Sequence, residues 1–263
     1  MSITRQSDLV SEEQKTQYDR DGFFILERVM TERQLGYLRE EGQRFVDVLD
    51  AEMEQRGVKS LGITHYKNRY FIGGKYKESR KLREFLFSEL MADICRATLG
   101  NEAYLFNEQY VIKAAEKGMH FGWHQDSGYI GHDHKPYLSC WCALDDMSIE
   151  NGTVYVLSYD KAGTREWVRH SREENTNDLI GYNGDDPGEP AIVPAGSIVV
   201  FSSTTFHRSG TNITDHMRRV YLAQYSLEPI MNADGTKLWG SAVPFLHNGE
   251  NIYDESAHEW GEG

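Results

Sequence analysis

Ala191-Ile192-Val193-Pro194-Ala195-Gly196-Ser197-Ile198-Val199-Val200-Phe201-Ser202 decides the fold class. The run is dominated by β-branched and aromatic side chains and follows a turn-rich cluster at residues 181–190, the signature of a strand bounded by turns. Four more stretches share its texture: residues 103–113, 138–144, 153–157 and 219–227, parted by clusters such as Glu150-Asn151-Gly152. Short strands at such spacing predict a mainly β protein, a sandwich or jelly roll rather than a parallel sheet.

Upstream the texture is helical. Ser11-Glu12-Glu13-Gln14 and Thr31-Glu32-Arg33-Gln34 are capping boxes, in which a hydroxyl and a later amide satisfy orphan backbone donors. The second opens a helix expected to reach about residue 55, with Leu35, Leu38, Phe45 and Leu49 on one stripe. Residues 23–26 form a short strand between the two helices. A third helical stretch is expected over residues 80–98, ending before Gly100. These helices are expected to cover one outer face of the β core. The chain reads as one domain: helical support to about residue 100, jelly-roll core over 101–228, and an extension over 229–263.

Composition narrows the function classes. The 263 residues carry 28 Lys and Arg against 41 Asp and Glu, a net charge of −13, which argues against nucleic-acid binding through clustered phosphate contacts. The longest apolar runs are far short of the roughly 20 residues of a membrane span, so no membrane partner is expected. Residues 1–14 are polar and acidic without an apolar stretch, so no secretory leader is expected. The three cysteines, Cys95, Cys140 and Cys142, form no disulfide framework. A cytoplasmic location is the expectation.

Of the ten histidines, one stands in a His-x-Asp pattern, His124-Gln125-Asp126. In an extended segment residues i and i+2 point the same way, so an imidazole and a carboxylate would converge. A second histidine from a distant strand would complete the two-histidine, one-carboxylate set that binds one face of Fe(II). His207 is the best candidate. A fold-back around Asn212-Ile213 would set residue 218, an arginine, opposite His207, where a guanidinium could hold an anionic co-substrate by paired hydrogen bonds.

His124-Gln125-Asp126, Trp141, Asn151-Gly152-Thr153, His207-Arg208-Ser209-Gly210-Thr211-Asn212 and Arg218, in that order, resemble the phytanoyl-CoA dioxygenase family. Tyr18-Asp19-Arg20-Asp21-Gly22-Phe23-Phe24-Ile25-Leu26 is similar to the family's opening. The resemblance covers roughly residues 15–228. It implies a double-stranded β-helix and an oxygenase that uses Fe(II), 2-oxoglutarate and O2. It further implies His124, Asp126 and His207 as iron ligands, and Arg218 on the distal co-substrate carboxylate with help from Ser209. Gln125 and Trp141 would line the co-substrate, Gly152 would keep a wall thin, and Arg69 would meet the other carboxylate. One departure is visible: where relatives often show Pro-Gly-Ser-His, this chain has Val156-Leu157-Ser158-Tyr159-Asp160, which points to an altered substrate mouth.

The retained Asp126 argues against halogenation, since halogenating relatives replace that carboxylate with a small residue. The implied activity is hydroxylation of an unactivated C–H bond of a small organic molecule, with release of succinate and CO2. Desaturation, epimerisation and cyclisation stay open, as do two other classes: a metal hydrolase or isomerase without co-substrate, and a non-catalytic jelly-roll binding module. Cys140 and Cys142 read as core residues on the face opposite Trp141, Arg219 as a surface ion-pair partner, and His132-Asp133-His134 as a loop. Residues 59–83 hold eight basic side chains: Lys59, Lys67, Arg69, Lys75, Lys77, Arg80, Lys81 and Arg83. They are expected either to guide an anionic substrate into the mouth as a lid or to form a solvated face balancing the acidic helices.

Overall fold

The computed structural model describes residues 9–116, 118–174 and 176–260. Most of the segment expected to lack a leader, and the last three residues of the extension, lie outside this range. Along the chain run helices α1 (Glu12–Asp21), α2 (Glu32–Arg56), α3 (Arg80–Leu86), α4 (Glu89–Thr98), α5 (Ser127–Ile130) and α6 (Tyr159–Ala162). The strands are β1 (Phe23–Leu26), β2 (Ser60–Leu61), β3 (Thr64–His65), β4 (Arg69–Gly73), β5 (Ala103–Lys113), β6 (Phe121–His124), β7 (Leu138–Ala143), β8 (Val154–Leu157), β9 (Ser171–Arg172), β10 (Leu179–Ile180), β11 (Glu189–Pro190), β12 (Ile198–Ser202), β13 (Phe206–Ser209), β14 (Arg218–Ser226), β15 (Val243–His247) and β16 (Glu250–Asn251).

Two antiparallel sheets face each other. The major sheet runs β1-β12-β7-β14-β5-β4-β3-β2, and the minor sheet runs β11-β8-β13-β6. Strand parity divides the major sheet's side chains. Trp141, Val199, Phe201, Val220 and Leu222 meet Val154 and Val156 of the minor sheet in the inter-sheet core. Cys140, Cys142, Ile198, Val200, Tyr221 and Tyr225 point the other way, into a larger cluster with Leu35, Leu38 and Phe45 of α2 and Leu82, Phe85, Met91 and Ile94 of α3 and α4. The helices therefore cover the outer face of the major sheet, as expected from sequence.

Both capping boxes form, at Ser11 and Thr31. The helical stretch expected over residues 80–98 is two helices. Ser88 accepts from the Met91 backbone N–H as the N-cap of α4, and Phe87 lies outside both; a serine that bonds its own backbone offers an alternative to continuing the helix. Residues 59–83 are not a loose lid. They carry β4, which pairs with β5 from Arg69 opposite Lys113 to Gly73 opposite Gln109. The C-terminal extension wraps the core by adding β15 to the far end of β5.

Candidate active site

The minor sheet builds half of the site. In the register of β6 and β13, His207 lies directly opposite His124, and their ring centroids are 4.0 Å apart. Each ring is fixed in the same way: His124 Nδ1 donates to the Gly122 carbonyl at 2.9 Å and His207 Nδ1 to the Thr205 carbonyl at 3.1 Å. That bond leaves each Nε2 as the free lone pair. Burial, reinforced by the neighbouring His207, holds the His124 pKa well below the ordinary imidazole value, so the ring is neutral, as a metal ligand must be.

Asp126 reaches these nitrogens by a route other than the one expected. β6 ends at His124, and Asp126 has α-helical backbone angles (φ −58°, ψ −37°) at the start of α5. The convergence therefore comes from a turn and not from the alternation of one strand. Its Oδ1 lies 3.9 Å from His124 Nε2 and 3.5 Å from His207 Nε2. Its Oδ2 accepts from Ser139 Oγ at 2.6 Å and from Gln224 Nε2 at 2.9 Å. Gln224 Nε2 also reaches Ser139 Oγ at 3.0 Å, and Asn107 donates to Gln224 Oε1 at 2.8 Å. Asn107, Gln224 and Ser139 are neighbours on one cross-strand rung of β5, β14 and β7. This polar rung aims one carboxylate oxygen at the two imidazoles.

The donor set suits a divalent transition ion. Ligand atoms of His124, Asp126 and His207 lie within 4.8 Å of one another, the one such cluster of three or more His, Cys, Asp or Glu among the described residues. Bonds of about 2.1 Å to one ion require donors about 3 Å apart, a contraction of less than an ångström for each Asp126–His pair. Three donors on one face leave coordination positions open, the geometry of non-haem Fe(II) sites.

Behind the triad the major sheet supplies positive charge. Arg69, Lys113 and Arg218 stand side by side on β4, β5 and β14, Lys113 being the register partner of both arginines. All three are buried and line one narrow cleft with His124, Asp126, His207, Trp141 and Ser209. Arg218 donates to the carbonyls of Val111 and Gly152, and its Nε is buried without a partner. Its guanidinium lies 5.7 Å above the Trp141 ring. Burial pulls the Arg218 pKa down to about 9, which leaves it charged at neutral pH. Lys113 bonds the Gly210 carbonyl, and burial, then the nearby Arg218 and Arg69, hold its pKa well below the ordinary lysine value. Among the described residues neither Lys113 nor Arg218 has an acidic side chain at ion-pair distance. An orphaned guanidinium nitrogen and a buried lysine amine without an acidic partner, in one cleft, fit a dicarboxylate such as 2-oxoglutarate.

Three expectations change. Arg69 is not free for a co-substrate carboxylate: its five donors are taken by both Asp178 oxygens (2.7 and 2.9 Å) and by the carbonyls of Ile63 and His120. Gln125 does not line this cleft; its side chain bonds the backbone of Glu166, Thr204 and Val168, bracing the segment behind the triad. Arg218 is not opposite His207, because β13 pairs with β6 and β8 whereas β14 pairs with β5 and β7. The two meet across the gap between the sheets. Lys113, Ser139 and Gln224 were missed. The available signal was parity: Ser139 is in phase with Trp141, and Gln224 with Arg218.

Much of the basic stretch is neutralised locally. Lys67 pairs with Glu54, Lys75 with Glu78, Arg80 with Glu84, Lys81 with Glu40 and Arg83 with Glu255. Arg219 pairs with Asp145, as expected. His134 bonds Ser127 Oγ and the His132 carbonyl.

A phytanoyl-CoA dioxygenase family model matches residues 18–220. An ectoine dioxygenase of Bordetella bronchiseptica is 23% identical over 245 residues, covering 86% of this chain and 79% of that protein. A probable alpha-ketoglutarate-dependent hypophosphite dioxygenase of Stutzerimonas stutzeri is 27% identical over 150 residues, about half of each chain. Among solved structures, EvdO2 from Micromonospora carbonacea complexed with 2-oxoglutarate superposes with a TM-score of 0.68 at 22% identity, covering 89% of this chain and 97% of that one. EctD from S. alaskensis with 2-oxoglutarate and 5-hydroxyectoine gives 0.65 at 18% identity, covering 99% and 92%.

Proposed function

Since the chain belongs to the phytanoyl-CoA dioxygenase family, we propose that His124, Asp126 and His207 hold Fe(II) and that Arg218 and Lys113 hold 2-oxoglutarate. The protein is an Fe(II)- and 2-oxoglutarate-dependent dioxygenase that hydroxylates an unactivated C–H bond of a small organic molecule. The observation that carries the site assignment is the convergence of three donors in front of a buried guanidinium and a buried lysine amine, neither of which has an acidic side chain at ion-pair distance among the described residues.

When bound, Fe(II) and 2-oxoglutarate supply O2 activation coupled to oxidative decarboxylation, with succinate and CO2 as co-products. The chain's own residues do the rest. Arg218 and Lys113 anchor the distal carboxylate by charge-assisted hydrogen bonds, Ser209 adds a hydroxyl to the same cleft, and Trp141 forms its wall. Anchoring that end leaves the keto-acid end directed at the triad. The Gly122 and Thr205 carbonyls hold the imidazoles in one tautomer, and the Asn107–Gln224–Ser139 rung holds Asp126. Three buried unpaired thiols suit a reducing compartment, and among the described residues no helix is long and apolar enough to cross a membrane. We place the enzyme in the cytoplasm.

The test is Fe(II)-dependent formation of succinate from 2-oxoglutarate under O2. His124→Ala and Asp126→Ala are expected to abolish it while retaining the native circular dichroism spectrum. Undiminished turnover in both variants overturns the assignment.

A further inference from the structure

Adjoining the cleft, and sharing Phe71, Gln109, Phe121, His124 and Asp126 with it, lies a cavity of about 260 Å3. Unlike the cleft, it is not lined by Arg69, Lys113 or Arg218. Apart from the two proposed ligands, no carboxylate, lysine, arginine or histidine among the described residues lines it. The walls are aromatic: Phe71 and Phe121 on one side, Phe106 and Tyr137 on the other, with half-exposed Trp239 at the rim. Flat rings at these positions favour a ring or compact apolar body laid between them.

Gln224 apart, whose amide is spent on Asp126, Ser139 and Asn107, the further polar groups facing this space are neutral and keep unused hydrogen-bonding capacity. Among the described residues neither the Gln109 amide nor the Tyr137 hydroxyl has a hydrogen-bond partner, and both line the cavity. The Tyr129 hydroxyl accepts from the Leu179 N–H at 3.3 Å, so its own proton is free to donate. Asn107 uses one amide proton on Gln224 and keeps its carbonyl oxygen. Such groups satisfy a hydroxyl, carbonyl or carboxamide. They do not compensate an ion, and a charge taken out of water without an opposite partner costs far more than an amide that finds a hydrogen bond. The volume corresponds to about nine waters at roughly 30 Å3 each, room for a small molecule.

Resting on the iron and 2-oxoglutarate reading, the geometry points to a compact, uncharged primary substrate with an apolar ring or chain and hydroxyl, carbonyl or carboxamide groups. The basic side chains Arg69, Lys113 and Arg218 line the cleft and not the adjoining cavity, whose further polar groups are neutral amides and phenols. The wall composition disfavours carboxylate, ammonium and zwitterionic groups held inside the cavity.

Three probes of matched shape test this: phenylacetamide, phenylacetate and 2-phenylethylammonium. Each is titrated by proton NMR into protein loaded with 2-oxoglutarate and either diamagnetic Zn(II) or paramagnetic Co(II). Phenylacetamide is expected to bind at least about tenfold more tightly than either ion, with its methylene protons broadened only in the Co(II) protein. Equal or tighter binding of an ion beside the metal overturns the proposal and leaves the iron reading standing. So does absence of phenylacetamide binding to protein that holds 2-oxoglutarate. If Co(II) does not broaden 2-oxoglutarate itself, the metal reading has failed, and the proposal with it.

Discussion

Asp126 Oδ2 accepts two hydrogen bonds, from Ser139 at 2.6 Å and Gln224 at 2.9 Å, and these decide how firmly Oδ1 faces the imidazoles. A hydrogen bond to a charged group is worth about 1.5–3 kcal/mol, and each 1.4 kcal/mol is about a factor of ten in affinity. Removing such a bond should weaken metal binding about 10- to 100-fold, the range typical for groups that orient a ligand. Ser139→Ala leaves Gln224 on the carboxylate and belongs at the lower end. Gln224→Leu also frees Ser139 and strands the Asn107 donor, and belongs at the upper end. Because the two side chains bond each other, the double variant should lose less than the product of the single losses. Anaerobic Fe(II) titration against a competing chelator reads all three, with circular dichroism as the check on folding. Affinities within about twofold of the unaltered protein in both single variants would refute the claim that this rung orients a metal ligand.

Lys113→Met should raise the KM for 2-oxoglutarate at least about tenfold while Fe(II) affinity holds, and equal KM values would remove Lys113 from the co-substrate site. The Lys113 pKa is depressed in the free protein and an arriving dianion raises it, so binding takes up a proton and weakens as pH rises between the two pKa values. Calorimetry in buffers of different ionisation heat should show that uptake in the unaltered protein and lose it in Lys113→Met. Burial raises the Glu108 carboxyl to about 7. Between its ordinary value and 7 the folded state binds more protons than the unfolded one, so stability falls as pH rises through that window, by at most about 3 kcal/mol. Glu108→Gln keeps the acceptor for the Tyr76 N–H and should raise the melting temperature at pH 8 and not at pH 4; equal effects at both would contradict it. Gly152 has φ +76°, and a Cβ there would press into the Gly210 carbonyl. Gly152→Ala should cost about 1–3 kcal/mol in urea unfolding and weaken 2-oxoglutarate binding, since the Gly152 carbonyl accepts from Arg218; unchanged stability would be inconsistent with this backbone.

What the sequence makes legible here is local: the capping boxes, the five main strand runs, and a His-x-Asp pair whose members are two residues apart. It also makes parity legible. Lys113, Gln109 and Asn107 share one face of β5, and Arg218 and Gln224 share one face of β14, which alternation alone would pair as inward or outward sets. Partner choice is not local. Lys113 sits beside Arg69 and Arg218 because β5 pairs with β4 and β14, registers between strands far apart in the chain that no nearby turn fixes. The same gap explains Arg69. An arginine in a basic stretch reads as an available charge until Asp178, 109 residues away, is found closing it in a buried pair. It explains His207 and Arg218 too: the turn at Asn212-Ile213 looks like a hairpin, yet Asn212 instead bonds the backbone of Ala114 and His216 and carries the chain from one sheet to the other. Crossing between sheets puts the histidine and the arginine on facing walls, where a ligand fits between them; side by side on one hairpin they would have left no such space.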